Sequence, residues 1–299
     1  MRPRERFRFA CPRSGVVPGK EEQGSTMETL EHIAFDRRLD VLDMVYRART
    51  GHIGGSMSCM DILCALYYRV MDTEKIKRGE ADRDRFLLSK GHCAEALYAV
   101  LADRGFFPRE RLLSYARFDT ALAEHPTRKI PGVEAATGAL GHGLSLAVGM
   151  AAAARRDGSP AHIYVLMGDG EQDEGSVWEA AMAAGKYGLE NLTAIVDRNR
   201  LQISGNTEQV MPLSPLAARY RDFGWEAVEC SGHNSEELVR ALRLRSPQKP
   251  VAVIANTVKG YGSELMENKA EWHHLVPDEE QYACIRAQLE QRRGAVSRG

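Results

Sequence analysis

Between His162 and Ile203 the chain reads HIYVLMGDGEQDEGSVWEAAMAAGKYGLENLTAIVDRNRLQI, and no other stretch limits the fold as strongly. A short apolar run, Ile163 to Met167, ends in Gly168-Asp169-Gly170. Val177, Ala180, Ala181 and Ala184 then recur on one helix face, and a second apolar run, Leu192 to Val196, ends in Asp197-Arg198-Asn199. Strand, turn, helix and strand make a βαβ unit, which puts Asp169 and Asn199 at the carboxyl ends of two parallel strands. In open α/β sheets that edge is where ligands bind.

The residue types at that edge point to one chemistry. Gly168 and Gly170 lack a Cβ, so a bulky anion can approach the backbone closely. The helix beginning just beyond them aims free N–H groups and a positive dipole end at such an anion. Asp169 and Asn199 offer the hard oxygen ligands that Mg²⁺ prefers, with phosphate oxygens completing the octahedron. Gly-Asp-Gly also occurs in ordinary tight turns, so a plain turn stays open on this stretch alone.

Strands alternating with helices along the rest of the chain predict an α/β fold with a doubly wound, mostly parallel sheet. At 299 residues and 43% hydrophobic content there is ample material for a large core. Lys plus Arg at 40 against Asp plus Glu at 41 makes no electrostatic case for nucleic acid or an anionic membrane surface. The longest nearly apolar run, Leu144 to Ala154, is too short to span a bilayer. Cys11, Cys59, Cys64, Cys93, Cys230 and Cys284 form no CxxC pair, which fits a reducing, cytoplasmic compartment.

In order, residues 1–26 carry several Arg and three Pro without sustained periodicity. They read as a disordered, transit-like extension or an over-extended gene start, and residues 27–299 as one domain. Helical spacing runs from Glu28 to Thr50 and stops at Gly51. GHIGGSMS reads as a loop, with Ser58 and Asp61 as a capping box for a second helix. A strand at Arg85 to Leu88 leads into SKGH and a helix from Ala94 to Ala102, and Arg109 to Arg117 reads as a further helix. Residues 123–143 are loop by their Pro and Gly content, and so long an irregular stretch is usually functional. Beyond the central unit come helices at 215–222 and 235–245, strands at 225–230 and 251–256, a loop over 259–277 and a last helix from Asp278.

Several histidines fall in loops at element ends: His52, His92, His125, and His273 with His274. A lone loop histidine is usually a solvated surface residue. Four such loops on one α/β scaffold argue for proton transfer near neutral pH. RARTGHIGGSMS, LSKGHCAEALY, EHPTRKIPGVEAATGALGHGLSLAVGMA, MGDGEQDEGSVWEA, DRNRLQISG and TVKGYGSELMENKAEWHH together resemble the N-terminal, diphosphate-binding domain of transketolase. The similarity covers residues 28 to about 280.

That resemblance implies the thiamine diphosphate-binding fold, with thiamine diphosphate and Mg²⁺ (or Ca²⁺ or Mn²⁺ in its place). It implies that Asp169, Asn199 and the Leu201 carbonyl hold the metal, and that Gly168 and Gly170 meet the diphosphate. Gly138 and Leu140 match the segment at the aminopyrimidine; His52, His92 and His125 match the histidines around the thiazolium and the substrate's two-carbon end. His273 matches a histidine near the diphosphate and acceptor, and Glu174 a glutamate at the dimer interface. Ala139, His142 and His274 depart from the family's usual Pro, Gln and Gly, so either His273 or His274 is the functional one.

The resemblance leaves out the family's pyrimidine-binding domain, which supplies the glutamate that engages the cofactor ring. The expected protein is therefore the N-terminal subunit of a split transketolase, moving a ketol unit between sugar phosphates. It is expected to need a separate C-terminal subunit, to self-associate through its central helices, and to form a heterotetramer. The alternatives are the α subunit of a 2-oxoacid dehydrogenase and a non-catalytic, cofactor-binding regulatory paralogue.

Overall fold

The computed structural model describes residues 29–296, so the extension expected at 1–26 lies outside the described residues. The chain begins with α1 (Leu30–Ala48), α2 (Ile53–Ala65), α3 (Thr73–Lys77), β1 (Arg85–Leu88) and α4 (Ala94–Asp103). After a long loop come α5 (His142–Arg156), β2 (Ile163–Gly168), α6 (Gly175–Tyr187) and β3 (Leu192–Arg198). A small hairpin, β4 (Leu201–Gln202) and β5 (Gly205–Asn206), precedes α7 (Thr207–Val210) and α8 (Leu216–Asp222). The rest is β6 (Glu226–Ser231), α9 (Ser235–Leu242), β7 (Val251–Asn256) and α10 (Glu279–Val296).

Five strands form one parallel sheet in the order β1-β2-β3-β7-β6. Side chains alternate across it, as the strand period demands. Ile163, Val165 and Met167 enter a core with α5, α6 and α8, while Tyr164 and Leu166 enter the opposite core with α1, α2, α4, α9 and α10. Both faces are thus covered, which is why these strands read as continuous apolar runs. The chain steps from β3 out to β6 and back to β7, so the strand order reverses beside β3. The segments SKGH, GDG, RNRL and TVKG leave β1, β2, β3 and β7 at the same edge.

Three local expectations are corrected. GHIGG is not a loop: α2 begins at Ile53 and carries Gly54 and Gly55 inside it. The glycines serve close packing, since a Cβ on Gly54 would lie 2.5 Å from the Trp272 carbonyl oxygen and one on Gly55 2.7 Å from Cys93 Sγ. Ser58 is therefore not a cap, but a buried residue of the helix interior whose hydroxyl donates to Asp197 Oδ2 at 2.6 Å. The helix expected over 109–117 is only a 3₁₀ turn, Arg109–Ser114, because Ala116 (φ 52°) and Asp119 (φ 59°) turn the chain away. Cys59 and Cys64 are buried free thiols, as expected. No helix among the described residues is long and apolar enough to cross a membrane.

Candidate active site

Strand pairing builds the first part of the site. β2 and β3 are in register, with Gly168 opposite Asp197, so the residues just beyond them meet. Asp169 Oδ1 accepts from the Gly170 N–H at 2.9 Å, and Oδ2 accepts from the Arg200 N–H at 2.6 Å. The carboxylate thereby ties the two turns together. Asn199 Nδ2 donates to Ser58 Oγ at 3.2 Å, while its Oδ1 accepts from the Leu201 N–H at 3.1 Å. Asp169 and Asn199 are both buried.

These residues open on a cavity of about 360 Å³. Gly168, Asp169, Gly170, Asn199 and Leu201 form one part of its wall; His52, His92, His273, Gly138 and Leu140 form another. Burial, and then the charge of Asp197, raise Asp169 to about 6, so a cation beside it would be favoured. The Asp169 carboxylate, Asn199 Oδ1 and the Leu201 carbonyl are all hard oxygens, the donor set that suits Mg²⁺, Ca²⁺ or Mn²⁺. Gly168 has nothing within 4 Å of where a Cβ would stand. Gly138 sits at φ 150°, and a Cβ there would lie 2.9 Å from the His125 ring. The residues present fit a metal and a diphosphate.

Two lysines complete the wall, and residue-type reasoning passed over both. Lys90 Nζ pairs with Asp197 Oδ2 at 2.5 Å, both side chains buried, and Asp197 also accepts from Ser58 and Thr257. Lys259 Nζ donates to the Leu201 carbonyl at 3.1 Å and to His273 Nδ1 at 2.9 Å. Burial, then the nearby Lys90 charge, push Lys259 down to about 8; an anion in the cavity reverses that penalty. Each lysine lies within a quoted motif and follows a strand end, which is the signal that could have found them. Glu171, by contrast, is fully engaged, accepting from Gly141 N at 2.9 Å, Gly168 N at 3.0 Å and the Ser89 hydroxyl.

The histidines converge from four separate loops and helix starts. The His52 ring lies 5.3 Å from His92, 6.1 Å from His125 and 5.5 Å from His273, centre to centre. His92 and His273 stack at 5.5 Å. Burial lowers His52 to about 4, and burial with the Lys259 charge lowers His273 to about 3. Burial also lowers His125. At neutral pH the His52 and His273 rings are uncharged. His125 is exposed and stands behind Gly138 rather than in the cavity wall. His273 lines the cavity, whereas His274 is exposed and packs on His52 at 4.6 Å. The backbone N–H of His52 donates to Glu95 at 2.6 Å, a buried carboxyl that also accepts from Ser56 and Tyr115.

Residues 30–292 match the family described as transketolase, thiamine diphosphate binding domain. One of the subunits of an apulose-4-phosphate transketolase from Phocaeicola vulgatus is 50% identical over 86% of this chain and 92% of that protein. A 6-deoxy-6-sulfo-D-fructose transketolase subunit from Clostridium sp. is 42% identical over 87% of this chain and 96% of its own length. Rat transketolase is 38% identical over 83% of this chain, which spans only 40% of the rat protein. Among solved structures, transketolase from Campylobacter jejuni superposes with a TM-score of 0.80 at 29% identity, over 89% of this chain and 42% of that one.

Proposed function

This chain belongs to the transketolase thiamine diphosphate-binding family as an N-terminal subunit of the split kind, and from that premise we propose how its site works. The reaction proposed is transfer of a two-carbon ketol unit from a ketose phosphate to an aldose phosphate. The transketolase relatives displace the 2-oxoacid dehydrogenase alternative. The names of the two split relatives favour a specialised ketose whose far end is anionic.

One observation carries the reading: a single cavity joins the oxygen donors of Asp169, Asn199 and Leu201 to His52, His92 and His273. Asp169, Asn199 and the Leu201 carbonyl would hold Mg²⁺, with Gly168, Gly170 and Lys259 receiving the diphosphate. When bound, thiamine diphosphate supplies a nucleophilic carbon and an electron sink for breaking a carbon–carbon bond beside a carbonyl. The neutral histidines take and return the hydroxyl protons that must move as that bond breaks and forms. The Lys259 ammonium donates to His273 Nδ1, which leaves the proton of that ring on Nε2. Gly138 and Leu140, which line the same cavity, would meet the aminopyrimidine.

The partner proposed is a C-terminal subunit carrying the pyrimidine-binding domain, in a heterotetramer built on self-association of the central helices. Exposed Leu146 on α5 and exposed Met182 and Tyr187 on α6 support this, as does exposed Glu174 at the start of α6. Glu171 has its oxygens committed to the turn and is not available to the far end of the cofactor. The test is reconstitution. With thiamine diphosphate, Mg²⁺, a ketose phosphate and an aldose phosphate, the chain alone is expected to be silent, and activity to appear once its partner is mixed in. Full turnover by this chain alone would sink the partner requirement.

A further inference from the structure

Glu124 and His274 stand beside the histidine cluster and have no part in the mechanism above. Each is one residue along the chain from a histidine of that cluster, His125 and His273, so the same two loops deliver them. Thr50 donates to Glu124 Oε1 at 2.9 Å, which fixes the direction of the carboxylate. Glu124 Oε2 lies 3.7 Å from His274 Nε2, too far for a hydrogen bond. His274 packs edge-on against the His52 ring, at 4.6 Å and 77°. His52 Nδ1 is buried and has no hydrogen-bond partner among the described residues. One polar atom from each of His52, Glu124 and His274 lies within 4.8 Å of the others.

Three groups thus converge with hydrogen-bonding capacity that they do not spend on one another. Their chemistry is selective. A carboxylate only accepts, and it repels another anion; an imidazole donates from one nitrogen and accepts at the other. A hydroxyl group satisfies both kinds at once, donating to Glu124 and accepting from His274. A phosphate or sulfonate at this place would meet the Glu124 charge. Exposure matters too: His274 is exposed and Glu124 half-buried, so the pair stands at the surface beside His52 rather than in the core.

Resting on the function proposed above, we infer that Glu124 and His274 form a specificity-determining site for an uncharged, hydroxyl-bearing part of the sugar, beyond the two carbons transferred. The pair selects substrates that carry a hydroxyl at that point, and the anionic end of the sugar is bound elsewhere. A site built to hydrogen-bond a substrate hydroxyl discriminates strongly against an analogue without it, because its own polar groups are then left unpaired.

The test uses the complex with the partner subunit, loaded with thiamine diphosphate and Mg²⁺. The variants are Glu124→Gln, which keeps the shape, and His274→Ala. kcat/KM is measured for a ketose phosphate and for its analogue lacking a hydroxyl beyond the transferred carbons. Each variant is expected to lose about 10- to 100-fold on the hydroxylated donor, the scale of a hydrogen bond to a charged group, and far less on the analogue. In parallel, calorimetry with an unreactive sugar-alcohol phosphate and its deoxy form reads the same discrimination without turnover. Equal losses on both substrates would show that the pair acts only through His52 and would overturn the proposal. So would unchanged discrimination in calorimetry. A Co²⁺ titration giving a visible absorption band that Glu124→Gln removes would replace it with a metal site. A wild-type complex that binds the sugar alcohols selectively but transfers no ketol unit would refute the parent reading and leave the hydroxyl site standing.

Discussion

Asp169, Asn199 and Leu201 leave the ends of two paired strands, whereas His52, His125, His273 and His274 hang on loops and helix starts. The first group is tied down: both oxygens of Asp169 accept backbone N–H groups, and Asn199 is braced by Ser58. Behind it, Asp197 gathers Lys90, Ser58 and Thr257 into one buried knot. The second group is held by ring packing and, at His273, by Lys259, and it keeps unspent polar atoms, such as His52 Nδ1. The contrast teaches that the Asp169–Asn199 wall is preformed by backbone geometry. On the function proposed above, the histidine wall keeps these atoms for the groups that substrate and partner would bring.

The most damaging change to the rigid half is expected from Asp169→Ala. Loss of a direct metal ligand should cost at least the ~10–100-fold in metal affinity that outer-shell changes cost, and cofactor affinity with it. Calorimetry on the complex decides; unchanged affinity for thiamine diphosphate would remove Asp169 from the site. Next comes Asp197→Ala, which strands the Lys90 ammonium in the interior. Breaking a buried pair on one side costs about 3–5 kcal/mol, so denaturant unfolding should reveal a clear loss of stability. A neutral result would mean that the two halves do not differ in rigidity as drawn.

His125→Ala probes the other half. Its ring is exposed, so truncation should leave the melting temperature nearly unchanged and cofactor binding intact, while ketol transfer falls by about 100-fold. A large drop in melting temperature instead would make His125 a structural residue. The smallest expected effect concerns His162, away from the cavity, where burial lowers the ring to about 3 and Nε2 lies 2.8 Å from Thr193 Oγ1. Its folded pKa is below the unfolded one, so the unfolded chain binds the extra proton. Stability is then fully present above about 6.5 and lost as pH falls toward 3, by at most ~1.4 kcal/mol per unit. His162→Gln should flatten that slope relative to the parent and leave ketol transfer unchanged. An identical slope in both proteins would refute the assignment.

Much of the rigid half was legible along the chain because its geometry is local. Two apolar runs of strand length flanking a helical period require a parallel pair, and parallel pairing alone brings Asp169 beside Asn199. Less legible was anything set by what packs from a distance. Gly54 and Gly55 look like loop residues until Trp272 and Cys93 are seen against them. Ser58 has the spacing of a helix cap, yet its partner is Asp197, far along the chain. Lys259 carries no local mark of its role beyond its place after β7, and it gains that role only because His273 and the Leu201 carbonyl fold onto it.

The sequence by itself determined the parallel sheet, the edge on which the cavity opens, and the identities of the oxygen groups and loop histidines gathered there. These follow from residue periodicity and from the fixed direction of a βαβ crossover, which neighbouring residues encode. Only the tertiary structure decided that His273 lines the cavity while His274 turns outward toward Glu124, although the two are adjacent in the chain. Adjacent residues point in different directions, and which one faces a cavity depends on what packs against the loop. Here Lys259 holds the first ring by its Nδ1, and the second is left beside His52 and Glu124.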